Sequence, residues 1–319
     1  MDNFVVNYLF GAFALGITFL YGSVGEILTE KAGHLNLGIP GIMCVGAASG
    51  CAVLQAMYPA MDKIPGAIVL IIAIVAAFAG AALMGAIYSF LTVTLHANQN
   101  VTGLTLTIFG VGLMKFIMFK LTSYKYLYAI SYFRFPFNER TDWLRYYGVM
   151  VFVGIAIAVV ASVILNKTRL GLHLRAVGEN PAAADAVGIN VTAYKYGATC
   201  IGSGIAGLGG IFYIMDYQGS QEAYLSIEAM GWLAIALVIF ALWRPAVSIF
   251  GSALFGALFV AGSYIPSLPF LKVSMSATPL LKMLPYIVTI IVLIITSVRK
   301  KRENQPPASL GLSYFREER

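Results

Sequence analysis

Charged residues are scarce in this sequence. Only 11% of its 319 residues are charged, while 59% are hydrophobic; a soluble domain carries about 25% charged residues. So few charges cannot cover a water-exposed surface, and most of the chain is therefore predicted to face lipid or other apolar helices. The net charge of +7 is interpreted as basic residues that flank membrane spans, and no nucleic-acid partner is expected.

Cysteine and histidine are also scarce. The sequence has three residues of each kind, and neither set shows the spacing typical of metal ligands. The cysteines all lie in apolar segments and are interpreted as small buried side chains. No glycine-rich phosphate loop ends in Lys-Ser/Thr. The sequence therefore predicts no catalytic site, no metal and no cofactor, and any ATP hydrolysis is expected from a separate chain.

Acidic residues fall at the ends of the apolar runs and not at their centres. Glu26, Glu30 and Asp216 belong to this group, and Glu26 is expected at a helix end. Ion-coupled transporters commonly bury Asp, Glu or Arg inside the bundle. Uncharged span centres therefore favour transport of a neutral small solute that is driven from outside the membrane. An ion-coupled secondary transporter and a membrane-embedded enzyme are the alternatives.

Long apolar runs fill the rest of the sequence. A membrane-spanning helix needs about 20 mainly apolar residues. Nine segments meet that requirement, at about 4–25, 36–57, 66–95, 100–119, 147–166, 196–215, 229–243, 246–264 and 284–298. The predicted fold class is an all-α polytopic membrane protein with about nine transmembrane helices (eight to ten). Its transmembrane domain comprises residues 1–298, and a cytoplasmic tail comprises residues 299–319. The glycine-rich segments 36–57 and 246–264 are candidates for broken or re-entrant helices.

Basic residues orient the chain. The cluster Arg299–Arg302 directly follows the last span, where the positive-inside rule is strongest. This places the C-terminus and the loop 167–195 in the cytoplasm of a multi-pass protein of the bacterial plasma membrane. The cluster is interpreted as an anchor that stops transfer of the last span, and contact with anionic membrane lipid is the alternative role. The first apolar run lacks the basic region of a signal peptide and is interpreted as a retained span.

One polar stretch, Arg175–Gly188, contains residues that typically begin and end a short helix. Asn180 is a good N-cap, because its side-chain oxygen can accept a free backbone N–H of the first turn. Pro181 falls at the first helical position, and Gly188 suits the left-handed conformation that ends a helix. These residues predict a helix of about seven residues, roughly 10 Å long, in a cytoplasmic loop. A capped helix between two spans suggests that a cytoplasmic partner docks there.

Two polar patches interrupt the apolar runs. Asn36 lies in the first patch, and Gln99, Asn100 and Thr102 lie in the second. A carboxamide in hydrocarbon is unfavourable until it is hydrogen-bonded. Such side chains therefore mark either helix-to-helix hydrogen bonds or a water-filled path, and both interpretations stay open. The small residues of Gly202–Gly210 predict close helix packing.

A family resemblance rests on the polar stretch. Residues Leu170–Pro181, with Ala183-Ala184 and Gly188-Ile189, resemble the coupling-loop signature of inner-membrane permeases of ABC importers. This group of permeases serves branched-chain amino acids, ribose-type sugars and nucleosides. Stretches similar to its nucleoside-type branch are Gly33–Met43, Gln99–Leu106 and Pro307–Glu317. The resemblance covers nearly the whole chain.

The resemblance implies a permease subunit for a neutral small solute, with nucleosides as the favoured class. A ribose-type sugar permease is the alternative, because Pro40 and Thr107 replace the Glu and Asn of the nucleoside-type pattern. The implied partners are a cytoplasmic ATP-binding cassette ATPase, a second related permease and an extracytoplasmic solute-binding protein. The implied ATPase-coupling residues are Arg175, Glu179, Asn180, Pro181, Ala184 and Gly188. The implied substrate-path residues are Asn36, Gln99, Asn100 and Thr102.

Overall fold

The computed structural model describes residues 2–135, 147–265, 276, 278–299 and 305–315. Within these ranges every regular element is a helix. The α-helices are α1 Asp2–Lys31, α2 Ile39–Met57, α3 Gly66–Ser89, α4 Gln99–Lys120, α5 Ser123–Tyr126, α6 Ile130–Phe133, α7 Val149–Lys167, α8 Arg169–Glu179, α9 Pro181–Ala186, α10 Val191–Phe212, α11 Ile227–Phe240, α12 Pro245–Tyr264, α13 Thr278–Leu281 and α14 Leu284–Arg299. Two π-helical segments, Phe90–Thr94 and Tyr213–Gln218, continue α3 and α10.

The helices confirm the predicted fold class. Eight helical stretches in the described part of the chain are long and apolar enough to cross a membrane, and the apolar helix Pro279–Ile295 is shorter. These nine stretches correspond to the nine predicted segments. The first boundary was wrong, because α1 continues past residue 25 to Lys31. Glu and Lys lower the hydropathy there, but they are good helix formers and do not end the helix.

The two glycine-rich segments are not broken. α2 and α12 each run as one continuous helix. α2 begins at Ile39 and not near residue 36, and Pro40 occupies its first turn, where the missing N–H is tolerated. The helical irregularities lie instead in the π-helical segments that follow α3 and α10.

α10 lies at the centre of the bundle and packs against α1, α2 and α3. Glycines permit this close approach. A side-chain carbon at Gly202 would collide with the backbone of Gly25 in α1, and one at Gly210 would collide with the backbone of Met43 in α2. Backbones this close leave room only for small residues. The predicted packing role of Gly202–Gly210 is therefore confirmed.

Three polar segments meet at one end of the bundle, which we call the coupling end. They are the α1–α2 loop (residues 32–38), the loop 167–195 and the tail segment 305–315. The backbone N–H of Ser309 donates to the Gly178 carbonyl at 3.0 Å, and Gly178 packs against the last residue of α1. The division of the chain at residue 298 stays a prediction, and Lys300–Arg302 of the basic cluster lie outside the described residues.

Candidate functional site

The predicted short helix is present as α9, which has six residues. Asn180 has an extended backbone, and its Oδ1 accepts a hydrogen bond from the Ala183 N–H at 3.0 Å. Pro181 occupies the first turn. Gly188 has a φ of +84°, a left-handed conformation that glycine adopts without steric penalty. The residues that were predicted to begin and end this helix therefore do so.

α9 is fixed to the bundle by one face and exposed on the other. Ala184 is 3% exposed and packs with Val177 and Val191 in a small apolar cluster. Glu179 and Asn180, by contrast, are exposed. The arrangement presents a short capped helix that the groove of a partner protein can bind.

α8 seats α9 on the end of α1. Its buried residues include Leu174, Val177 and Gly178. Arg175 lies between them, and its Nε is buried without a hydrogen-bond partner among the described residues. Gly178 touches Lys31, so the end of α8 is in direct contact with the end of α1.

The α1–α2 loop folds back along α1 and buries Asn36. The backbone N–H of Asn36 donates to Glu26 Oε1 at 3.1 Å, and Asn36 Oδ1 accepts from the Gly38 N–H at 2.9 Å. Asn36 Nδ2 and Glu26 Oε2 are buried and have no partner in the described part of the chain. The expectation that Glu26 marks a helix end was wrong, since it is 1% exposed and lies more than a turn before Lys31. The Asn36 amide is thus a free donor at this loop, whereas the Glu26 carboxyl also faces the Glu30 carboxyl.

Gln99 holds the α1–α2 loop from the other side. Its Oε1 accepts from the Leu35 N–H at 2.8 Å, and its Nε2 donates to the Leu312 carbonyl at 3.3 Å. Thr102 is also buried, at 6% exposure, whereas Asn100 is exposed. The structure therefore brings Asn36 and Gln99 to one loop and turns Asn100 away from it.

Two further residues fix this loop: Tyr88, which sequence reasoning missed, and Thr107, which it noted only as a departure from the nucleoside-type pattern. The Tyr88 hydroxyl donates to the Leu35 carbonyl at 2.7 Å, and the Thr107 hydroxyl donates to the Leu37 carbonyl at 2.8 Å. No local pattern identifies such contacts, because the Tyr88 bond joins residues 53 positions apart. Glu26 did carry a signal, since Glu26 and Glu30 lie four residues apart on one face of an otherwise apolar helix.

A cavity of about 650 Å³ lies beside α9. Its walls come from α9, the start of α10, the π-helical end of α3 and the tail, and they include Asp185, Lys195 and Tyr314. Lys195 is 3% exposed. The cavity is open beside the exposed helix, so a partner that binds α9 also reaches its rim.

The chain matches the family described as branched-chain amino acid transport system / permease component over residues 7–293. It is 30% identical over 292 residues to the nucleoside ABC transporter permease protein NupC of Lactococcus lactis subsp. cremoris, which covers 86% of this chain and 87% of that protein. It is also 30% identical to the guanosine ABC transporter permease protein NupQ of Bacillus subtilis, over 85% of this chain and 86% of that protein.

A third relative is named for a sugar. TsgC13 of Haloferax volcanii, provisionally named a glucose ABC transporter permease protein, is 30% identical over 80% of this chain and 77% of its own length. The family match agrees with the eight helical stretches among the described residues that are long and apolar enough to span a membrane. The chain belongs to the branched-chain amino acid transport system permease family and is a multi-pass, non-enzymatic membrane subunit of an ABC transporter.

Proposed function

We propose that this chain is the permease subunit of an ABC importer that carries nucleosides into the cell. The observation that carries the proposal is α9, a capped and half-exposed helix between two spans in a chain of the permease family. Two of the relatives are named for nucleosides or guanosine, which supports this solute class.

In this proposal the coupling residues are Arg175, Glu179, Asn180, Pro181, Ala184 and Gly188. The ATPase binds the exposed Glu179, Asn180 and Gly188, and the buried Ala184 holds α9 on the bundle. The transporter has two states, and closure of the ATPases on ATP favours one of them. The displaced α9 carries α8 with it, and α8 pushes on the end of α1 through Gly178 and Lys31. The side of the membrane to which the path is open then changes.

A second permease and a solute-binding protein complete the proposed transporter. The outer face of α4 is apolar and exposed, with Ile108 at 76% and Phe109 at 53% exposure, and such a face suits either lipid or a second permease. The solute-binding protein docks at the end opposite α9. The coupling end and the C-terminus are cytoplasmic.

The proposed path residues are Asn36, Gln99, Asn100 and Thr102, now joined by Glu26. The Asn36 amide is a buried donor without a partner among the described residues, and the Glu26 carboxyl lies at the same loop beside Glu30. A nucleobase edge presents acceptors that can receive a hydrogen bond from the Asn36 amide. A simple sugar is the second candidate solute, because of the relative named for glucose and because of Pro40 and Thr107.

The test is uptake of radiolabelled adenosine, guanosine and uridine by cells that carry the complete transporter, with and without deletion of this chain. Unlabelled ribose, glucose and branched-chain amino acids serve as competitors. We expect deletion to abolish nucleoside uptake and the competitors to leave it unchanged. Competition by ribose or glucose would assign the transporter to sugars. Uptake that survives deletion would overturn the proposal.

A further inference from the structure

The tail segment 305–315 returns to the bundle and is bound there at several points. The backbone N–H of Ser309 donates to the Gly178 carbonyl at 3.0 Å, and the N–H of Gly311 donates to the Gly33 carbonyl at 3.2 Å. These bonds attach the tail to the end of α8 and to the α1–α2 loop. A carbonyl on each of the two segments is thereby satisfied by one short stretch of chain.

The next residues of the tail reach two more elements. The Leu312 carbonyl accepts from Gln99 Nε2 at the start of α4. The Tyr314 hydroxyl donates to Asp185 Oδ2 in α9 at 2.9 Å. The ring of Phe315 lies 4.5 Å from the ring of His96. Within seven residues the tail therefore touches α8, the α1–α2 loop, α4 and α9.

Several features restrict the backbone conformation of the tail segment. Pro306 and Pro307 restrict the backbone before it. The N–H of Leu310 bonds the Pro307 carbonyl, and the N–H of Leu312 bonds the Ser309 carbonyl, which gives two consecutive turns. Gly311, with a φ of +79°, supplies the left-handed residue that this path requires. A segment stiffened in this way transmits displacement instead of absorbing it.

α9 needs such support. An isolated helix of six residues is not stable in water, and in α9 only Ala184 is buried. Tyr314 packs against the same apolar cluster as Ala184 and also bonds Asp185. The tail thus fixes the side of α9 that faces the bundle, while the other side stays free for a partner.

We propose that the C-terminal tail links the coupling helix α9 to the α1–α2 loop, which contains Asn36 and is bonded by Gln99. Tyr314 is the positioning residue at the α9 end of this link. The inference rests on the proposed function, because it assigns the route by which a movement of α9 reaches the path. When α9 is displaced, Tyr314 moves with it, and Leu312 carries that movement to Gln99 and the α1–α2 loop.

The first experiment removes one bond from this link. Tyr314→Phe keeps the ring and deletes the hydroxyl that bonds Asp185. The matched control is Tyr128→Phe, because Tyr128 donates a similar hydrogen bond to Asp62 at 2.7 Å in another part of the bundle. The complete transporter is reconstituted in lipid vesicles with its binding protein, and guanosine uptake and ATP hydrolysis are measured in the same preparation.

We expect Tyr314→Phe to lower the guanosine taken up per ATP at least about threefold, a coupling change of roughly 0.7 kcal/mol, with wild-type amounts of assembled transporter. Tyr128→Phe should keep the wild-type ratio. An unchanged ratio in Tyr314→Phe would overturn the link, and so would an equal loss in both variants. A wild-type transporter that takes up no nucleoside would instead refute the proposed function.

The second experiment restores the link by chemistry. In a chain whose native cysteines are replaced by alanine, Asp185→Cys and Tyr314→Cys are joined by a short bis-maleimide. We expect the double variant to lose coupling before reaction and to recover most of it afterwards, because the reagent replaces the lost bond. Failure to recover after complete reaction would show that the tail does not act as a link.

Discussion

Asn180 and Asn190 form the same contact at two different helices. Each side-chain oxygen accepts a backbone hydrogen bond at 3.0 Å, from Ala183 in α9 and from Ala193 in α10. Loss of such a cap costs about 1 kcal/mol. The six-residue α9 has little packing to offset that loss, whereas 14 of the 22 residues of α10 are buried.

We therefore expect Asn180→Ala to reduce nucleoside uptake several-fold and Asn190→Ala to reduce it much less. Both variants should reach the membrane in wild-type amounts. The measurement is initial uptake rate, normalised to permease content by immunoblot. Equal rates in the two variants would show that the order of α9 does not limit coupling.

His34 makes the stability depend on pH. It lies in the α1–α2 loop, where its Nδ1 is 2.8 Å from the Thr199 hydroxyl. Burial, assisted by the nearby Lys195 ammonium, lowers the pKa of His34 from 6.5 to about 3. Below about pH 6.5 the unfolded chain therefore binds a proton that the folded chain excludes, and the free energy of unfolding falls by up to about 1.4 kcal/mol per pH unit.

The variant His34→Gln isolates this effect, because glutamine does not titrate. In detergent, the unfolding temperature of the wild type should fall more steeply than that of His34→Gln as the pH is lowered from about 7 to about 5. The difference between the two curves, and not either curve alone, reports His34. Parallel curves would mean that the pKa of His34 is the same in the folded and the unfolded chain.

At the scale of the helix, glycines of α10 differ in what surrounds them. A side-chain carbon at Gly202 would collide with the Gly25 backbone of α1, whereas one at Gly197 would meet nothing within 4 Å. Overpacking of this kind costs about 1–3 kcal/mol. Gly202→Ala should therefore lower the unfolding temperature in detergent, and Gly197→Ala should leave it unchanged or raise it slightly through helix propensity. A loss of stability in both variants would argue against a specific α1–α10 contact.

Local and long-range contacts differ in whether they could be predicted from the sequence. α9 was predictable, because Asn180, Pro181 and Gly188 act through bonds to residues a few positions away. Hydropathy located nine apolar helices, because span length depends on membrane thickness and not on partners. The spacing of Glu26 and Glu30 marks one helix face, but the partners of Glu26 and Gln99 were not predictable, since they belong to a returning loop and to the tail. Roles that depend on distant contacts leave no local pattern.

At the scale of the whole molecule, the long-range hydrogen bonds determine which segments lie at the same end of the bundle. The tail bonds α8 and α9 through Ser309 and Tyr314, so the C-terminal segment and the coupling helix must lie on the same side of the membrane. Lys63 lies at the other end, because the continuous helical stretch Ile39–Lys63 has 25 residues, or roughly 37 Å at 1.5 Å per residue. That length exceeds the hydrocarbon core of about 30 Å.

The basic residues after the last span predict a cytoplasmic C-terminus, and with this geometry they predict that α9 lies inside the cell and Lys63 outside. In a variant without its native cysteines, Lys63→Cys and Val187→Cys each provide one exposed thiol, and Val187 is 76% exposed. A maleimide that does not cross membranes should label Lys63→Cys in intact cells and Val187→Cys only after permeabilisation. The reverse pattern would place α9 outside the cell, where no cytoplasmic ATPase can reach it. Orientation is thus the property of the whole molecule on which the proposed coupling depends, and two single-cysteine variants suffice to determine it.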